Sequence, residues 1–415
     1  MSGVGGSDAG GSDAGGSDAS DRVGGESQPF TGRWANPRPM GHVVTFTDTY
    51  HPTVNGVTYT VETWRDEWQA RGGRMSVVYP GAGGYDPAPG EYPVRSLPFP
   101  FYDGFRLGVP RVPKGARGAD IVHAHTPFAL GLSALRLARR ESLPLVTSYH
   151  TPTSEYADYL TSRERLGRGI ERISRGYERW FFSQADAVIV PSADTKHHVE
   201  STVGVDGEVT VVPNGVDTEF FRPVEAADFR RRHGLDEDRP LLGYTGRHGF
   251  EKNLSEILAA ADGLDATLAF GGDGPARDHL EREAERRGLD ARFLGFLPRE
   301  ELPAFYSALD AFVFPSPVET QGLVALEAIA CGTPVVGVDA GALADTVDDG
   351  ETGHHFEGGD AADFRDAIRR TLDARGRLSE RCLDRREAIG VDHAVDLLAD
   401  VYDRIAATDG RVAGD

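Results

Sequence analysis

The chain has 415 residues, 39% of them apolar, enough for two or three domains with cores of ordinary size. Its 65 Asp and Glu residues against 44 Lys and Arg give a formal charge of −21, which argues against nucleic acid as a partner. The two cysteines, Cys331 and Cys382, supply neither a disulfide framework nor metal-ligand spacing.

An acid excess with only three lysines among the 44 cations suits a cytoplasmic protein of a salt-rich cell, where carboxylates hydrate the surface and salt screens their repulsion. No window reaches 18 consecutive apolar residues, and no basic segment followed by an apolar one opens the chain. The expectation is a cytoplasmic protein without a span or leader.

In chain order, residues 5–19 are three copies of Gly-Gly-Ser-Asp-Ala, and the stretch 1–38 is expected to be a disordered tail. The first apolar run, His42–Thr47, leads into Thr47-Asp-Thr-Tyr-His-Pro-Thr-Val-Asn-Gly56 and then a helix with Val61, Trp64 and Trp68 on one face. Gly56 lets backbone N–H groups approach a phosphate at a helix start, although Asn-Gly is also an ordinary turn.

Strands are expected at Met75–Tyr79, Asp120–Ala124, Leu143–Ser148, Ala187–Val190 and Val209–Val212, with helical patterns between them. His123 and His125, at i and i+2, share one face, as metal ligands do, yet no Cys or carboxylate completes a triad, which leaves a structural role. His150, beyond the end of the next strand, can donate to a sugar hydroxyl or cap the following helix. The run 99–107, rich in Phe, is either an apolar rim beside an acceptor channel or packing on the sheet.

From residue 163 to 179 Arg recurs, at Arg168, Arg172 and Arg175 among others, in a helix that ends Trp180-Phe-Phe182. Such a helix can lie on an anionic membrane. The spacing Glu171 to Arg175 equally fits a solvated face of i,i+4 pairs, with the aromatics in the core.

Pro213-Asn-Gly-Val-Asp217 marks a seam, after which a second series of strands begins at Pro240–Thr245 and continues at Ala266–Phe270, Ala291–Leu294, Ala311–Phe314 and Pro334–Val338. Two α/β domains of Rossmann-like, doubly wound parallel sheet are expected, facing each other across a cleft. The boundaries are 39–215 and 216–388, with 389–415 as a last helix, Val391 to Ala406.

The second series carries the charge pattern. Arg247 and Lys252 flank a turn from the strand Pro240–Thr245 to a helix at about Asn253, where two cations suit a diphosphate leaving group. Lysine in a chain that otherwise uses arginine suggests a spot where a planar fork does not fit. Gly271-Gly-Asp-Gly274-Pro does not complete a dinucleotide fingerprint. Glu319, Gly322, Leu323, Val324 and Glu327 open another helix, whose N–H groups can hold phosphate oxygens. There Glu319 reaches sugar hydroxyls and Glu327 both hydroxyls of a ribose, unless both are solvated surface.

These motifs, in this order, resemble the retaining glycosyltransferases of family 4, over residues 40 to 405. The resemblance implies the GT-B architecture, with the last helix crossing back to the first domain. It implies that Gly246-Arg247 with Lys252 grips the donor diphosphate, and that Glu319 and Glu327 hold sugar and ribose. Gly274 would line the nucleotide pocket, Phe296 and Leu297 the base edge, and His150 the transferred sugar and acceptor. Same-face attack would retain the anomeric configuration with the diphosphate as base, and with Arg247 and Lys252 neutralising the leaving group neither a metal nor a cofactor is expected.

Gln321, at a position where many relatives carry an aromatic residue, together with Tyr149-His150-Thr and Tyr156, resembles the subgroup that glucosylates diacylglycerol. The implied reaction moves glucose from UDP-glucose to a membrane glycerolipid, with His125, Tyr156, Arg168, Arg172 and Arg175 on the acceptor or membrane side. The alternative is a mannosyl- or hexosyltransferase using GDP-mannose on a polyprenyl-linked or surface-glycan intermediate. A sugar-nucleotide epimerase or a silent binding protein stands further off.

Overall fold

The structure, a computed structural model, describes residues 40–98, 106–150, 164–236 and 238–412; at 164–171 and 408–412 it describes the backbone alone. The tail 1–38, Tyr156 and most of the Phe-rich run 99–107 lie outside the described residues, as does the side chain of Arg168.

Residues 42–211 build a seven-stranded sheet, all parallel, from β1 (His42–Phe46), β2 (Arg74–Pro80), β3 (Glu91–Val94), β6 (Ile121–Ala124), β7 (Leu145–Ser148), β8 (Ala187–Val190) and β9 (Val209–Val211). A small antiparallel hairpin, β4 (Ser96–Pro98) with β5 (Arg106–Gly108), stands apart. The strand order is β3-β2-β1-β6-β7-β8-β9. Residues 241–356 form a six-stranded parallel sheet from β10 (Leu241–Thr245), β11 (Thr267–Gly271), β12 (Ala291–Gly295), β13 (Ala311–Phe314), β14 (Val335–Val338) and β15 (Gly353–Phe356), ordered β12-β11-β10-β13-β14-β15.

The inner strands are short runs rich in Val, Ile, Leu, Ala and Phe, buried on both faces as a parallel sheet covered by helices requires, while the edge strands β3, β9 and β12 are partly open. In each sheet the order reverses at one place, between β1 and β6 and between β10 and β13. Such switch points open a crevice beyond the carboxyl ends of the strands. The loops leaving β1, β6, β10 and β13 are those that carry Gly56, His125, Arg247 with Lys252, and Glu319.

The helices that matter below are α1 (Gly56–Ala70), α2 (Ala129–Glu141), α3 (Glu164–Phe182), α4 (Ala193–His197), α5 (Leu302–Ala308), α6 (Leu323–Ala330) and α7 (Val391–Val412). Asn55 caps α1 by accepting from the Thr58 N–H at 3.0 Å. The α7 helix runs six residues beyond the expected end and lies against the first sheet: Val395, Leu398, Val401, Tyr402 and Ile405 share a buried cluster with Val43, Trp64, Trp68, Val146 and Ile189.

Two crossings of the chain lie side by side at the seam. Val216 N–H donates to Ile389 O and Val391 N–H to Val216 O, each at 2.9 Å. Gly215, at φ +77°, is required there, because a Cβ would stand 2.7 Å from the Val391 Cα.

Several elements differ from expectation. The helix expected at Asn253 begins at Ser255; Phe250–Lys252 is a single 3-10 turn and Asn253 takes φ +53°. Strands β3 and β15 and the hairpin had no signal, since β3 contains Pro93 and β15 reads Gly-His-His-Phe. At the end of α3 the aromatic trio divides: Phe181 and Phe182 are core, and Trp180 alone is exposed, at 45%.

Candidate active site

Two loops of the second lobe bring charge together across its sheet. Lys252 Nζ donates to Glu319 Oε1 at 2.7 Å, joining the turn after β10 to the loop after β13. Arg247, on the same turn as Lys252, pairs with Glu251 at 2.8 Å and is about two-fifths exposed. The β-strands fix both loops, so the ion pair spans the switch point of the sheet.

Gly322 then carries the chain into α6 at φ +74°, a turn open to glycine; a Cβ would lie 2.8 Å from Leu343. The cap position has no side-chain hydrogen bond, and Leu323 and Val324 begin the helix half-buried. A helix start of this kind directs backbone N–H groups at an anion. Gly56 of the first lobe stands opposite: a Cβ on it would meet the Leu323 side chain at 3.4 Å.

Glu327, one turn further on, is buried and accepts from the Tyr306 hydroxyl at 2.5 Å. Burial pushes its carboxyl up to about 7, while the Tyr306 hydrogen bond and the Arg299 charge pull it down. The turn around Gly274 packs on the backbone of His248, where a Cβ would lie 2.6 Å from the carbonyl oxygen. Beside it Leu297 is buried and Phe296 is 80% exposed, an aromatic face with no protein covering it.

On the first lobe the histidines gather at the ends of β6 and β7. His125 Nδ1 and His150 Nε2 are 2.8 Å apart, with rings stacked at 5.1 Å and 8°. His123 is fully buried between the Tyr402 hydroxyl at 2.7 Å and Ser148 Oγ at 2.8 Å. Among the described residues no group of three or more His, Cys, Asp or Glu side chains is arranged to hold a metal ion. Near them Asp48, buried after β1, accepts from Thr126 Oγ1 at 2.7 Å and from the Leu130 N–H at 3.2 Å, and so caps α2. Arg172 and Arg175 are exposed on α3, away from these pairs.

Two family models match the chain: Glycosyltransferase Family 4 over residues 54–220 and Glycosyl transferases group 1 over residues 225–388. The chain belongs to the family 4 glycosyltransferases. It is 34% identical over 290 residues to the sulfoquinovosyl transferase SQD2 of Arabidopsis thaliana, covering 67% of this chain and 56% of that protein. To the alpha-monoglucosyldiacylglycerol synthase of Streptococcus pneumoniae it is 29% identical, covering 70% and 69%. To the 2-deoxystreptamine glucosyltransferase of Streptomyces kanamyceticus it is 30% identical, covering 69% and 78%. A sucrose-phosphate synthase from Thermosynechococcus elongatus has the same fold, with a TM-score of 0.73 at 22% identity over 88% of this chain and 100% of that one. Both parallel-sheet lobes are those of the GT-B fold.

The glycosyltransferase carries site features that the sequence did not reveal. Gln321, noted only for its place in the motif, is buried and accepts from the Asn214 N–H at 2.9 Å; Asn214 O in turn accepts from Trp64 Nε1 at 2.6 Å. Thr195 Oγ1, at the start of α4, donates to Thr320 O at 3.1 Å. The loop after β13 is thereby fastened to the seam and to the first lobe. Arg299, just before α5, lies over Tyr59 of α1 at 4.3 Å and over Phe220 at 5.1 Å. No local pattern marks these pairs, because their partners lie 79 to 240 positions apart along the chain.

Proposed function

We propose that this glycosyltransferase transfers a hexose, glucose in the first instance, from a nucleotide-diphosphate sugar to a membrane glycerolipid with retention of anomeric configuration. The observation that carries the reading is the Lys252–Glu319 pair, 2.7 Å long, at the uncapped start of α6. A diphosphate arriving at α6 offers Lys252 and Arg247 a richer anion than their present carboxylates, and releases Glu319 to accept from sugar hydroxyls. Glu327 then receives the ribose hydroxyls, and Phe296 offers its face to the base.

In the transfer, the bond from the anomeric carbon to the donor phosphate oxygen breaks and the acceptor oxygen bonds on the same face. The acceptor proton passes to the departing diphosphate, whose charge Lys252 and Arg247 stabilise. His150 stands on the opposite lobe, where sugar and acceptor meet. The protein supplies positioning and charge stabilisation.

The lipid acceptor is supported by the name of the pneumococcal relative and by the surface of the first lobe. On α3, Ile173 is 76% and Trp180 45% exposed, on a helix that also exposes Arg172, Arg175 and Arg179. Gln184 links this helix to α2, accepting from Arg139 and donating to Trp180 O, and α2 adds Leu132, Arg136 and Arg140 around a shallow hollow of about 380 Å³. Apolar and cationic side chains so mixed favour an anionic bilayer surface.

Purified protein incubated in high salt with labelled UDP-glucose or GDP-mannose and a lipid extract tests the reading. Label from UDP-glucose in a diacylglycerol-derived glycolipid is the expected result. Label from GDP-mannose in a polyprenyl fraction would replace glycerolipid by a polyprenyl-linked acceptor. Donor that changes stereochemistry without any acceptor would overturn transfer.

A further inference from the structure

Parallel neighbours β6 and β7 place alternate residues on one face of the sheet, and the chain has put His123 and His125 on the first, Ser148 and His150 on the second. The four side chains form two hydrogen-bonded pairs, His123 with Ser148 at 2.8 Å and His125 with His150 at 2.8 Å. The imidazoles of His123 and His125 stack at 4.1 Å, and Trp64 closes on His125 at 5.7 Å between ring centres.

Both nitrogens of His123 are engaged, one by Ser148 and the other by Tyr402 of α7, so its ring is held from two sides. The stacked His125 ring inherits that constraint through packing. Its Nδ1 in turn occupies Nε2 of His150, and a nitrogen so engaged can hold only one proton with its partner. The nitrogen of His150 left for a ligand is Nδ1.

We propose that His125 is a positioning residue for the transfer: it fixes the ring orientation and tautomer of His150 so that Nδ1 faces the reacting sugar and the acceptor. This rests on the transferase reading above, which places His150 beside the reacting sugar. Charge reinforces the geometry, because burial holds His123 down to about 3 and His150 to about 4, and holds His125 well below its usual range. The array therefore works with neutral rings. His150 offers a hydrogen bond of fixed direction and never a cation that would compete with Lys252 and Arg247 for the diphosphate.

Three variants separate this role from simple packing. His125→Phe keeps a ring without the hydrogen bond; His125→Asn puts an amide nitrogen close to the place of Nδ1; His125→Gln puts it close to Nε2. The phenylalanine variant should lose on the order of 10- to 100-fold in kcat, with donor KM within threefold and the melting temperature within a few degrees of the parent. Asparagine should recover most of the rate, and glutamine should not. Full kcat in His125→Phe, or equal rates in the Asn and Gln variants, would overturn the proposal.

Nitrogen-15 NMR of histidine-labelled protein reads the tautomer directly and needs no turnover. The His150 signals, assigned with His150→Gln, should belong to one tautomer in the parent and shift toward a mixture in His125→Phe. An unchanged pattern would overturn the positioning role even in an active enzyme. A changed pattern in a protein that transfers no sugar would overturn the transferase reading and leave the ring pairing intact.

Discussion

The two lips of the cleft treat charge in opposite ways. On the second lobe Lys252, Glu319, Arg247 and Glu251 are formal charges, paired with one another and partly open to water. On the first lobe His123 and His125 are buried and His150 is half-buried, with the rings stacked and held neutral. A partly solvated ion pair costs little to open, so a diphosphate can exchange for it. A buried neutral array cannot take up charge cheaply, and it suits a hydroxyl whose direction of approach matters more than its charge.

The largest effects should come from removing charge on the second lobe. Lys252→Ala and Glu319→Ala should each lower transfer by roughly 1000-fold or more with the circular dichroism spectrum unchanged, since both side chains lie on loops outside the apolar cluster of the lobe. Normal turnover in either variant would break the contrast between the lobes.

Glu327 sharpens it, being a buried acid one turn along α6 from that ion pair. Its carboxyl, raised to about 7, is protonated below that pH, and a protonated acid accepts less well from ribose hydroxyls. Nucleotide affinity should therefore fall as pH drops from 8 to 6, by up to about tenfold per unit below 7, and Glu327→Gln should flatten the profile. The sign for stability is the reverse. With the folded value above the unfolded one, this group favours the fold fully below about 4.5 and loses that contribution as pH rises through 7.

The seam between the lobes gives a smaller effect. Gln321→Leu leaves the buried Asn214 N–H without its acceptor, a cost of about 1–3 kcal/mol that a shift in denaturation midpoint reads. If the bond also holds the donor loop in register, donor KM rises in the same variant. Smallest should be the membrane surface: Arg172→Glu with Arg175→Glu weakens binding to anionic vesicles by about 1 kcal/mol per residue, while transfer to a detergent-dispersed acceptor is unchanged.

Much of this was legible in the chain because parallel sheets write themselves plainly. Buried runs such as Ala311-Phe-Val-Phe314 and the turns that follow them locate the strand ends, and the strand ends locate the loops that bear Gly56, Arg247, Lys252 and Glu319. The alternation His123-Ala-His125 placed two imidazoles on one face. What was illegible is what lies across the sheet or across the seam. That His125 would find His150, that Tyr402 would reach His123 from 279 positions away, or that Gln321 would close on Asn214 depends on pairing two distant segments. At the end of α3 the sequence leaves open whether Trp180-Phe-Phe182 faces a membrane or the core, and burial divides the three: Phe181 and Phe182 are core and Trp180 is exposed.

Calorimetric titration of UDP and GDP, each beside its nucleoside, into the parent and Lys252→Ala addresses the central claim most directly. The account predicts that for one base the diphosphate binds at least tenfold tighter than the nucleoside, and that Lys252→Ala removes most of this margin. Equal affinity for diphosphate and nucleoside, or a margin that survives without Lys252, would contradict it.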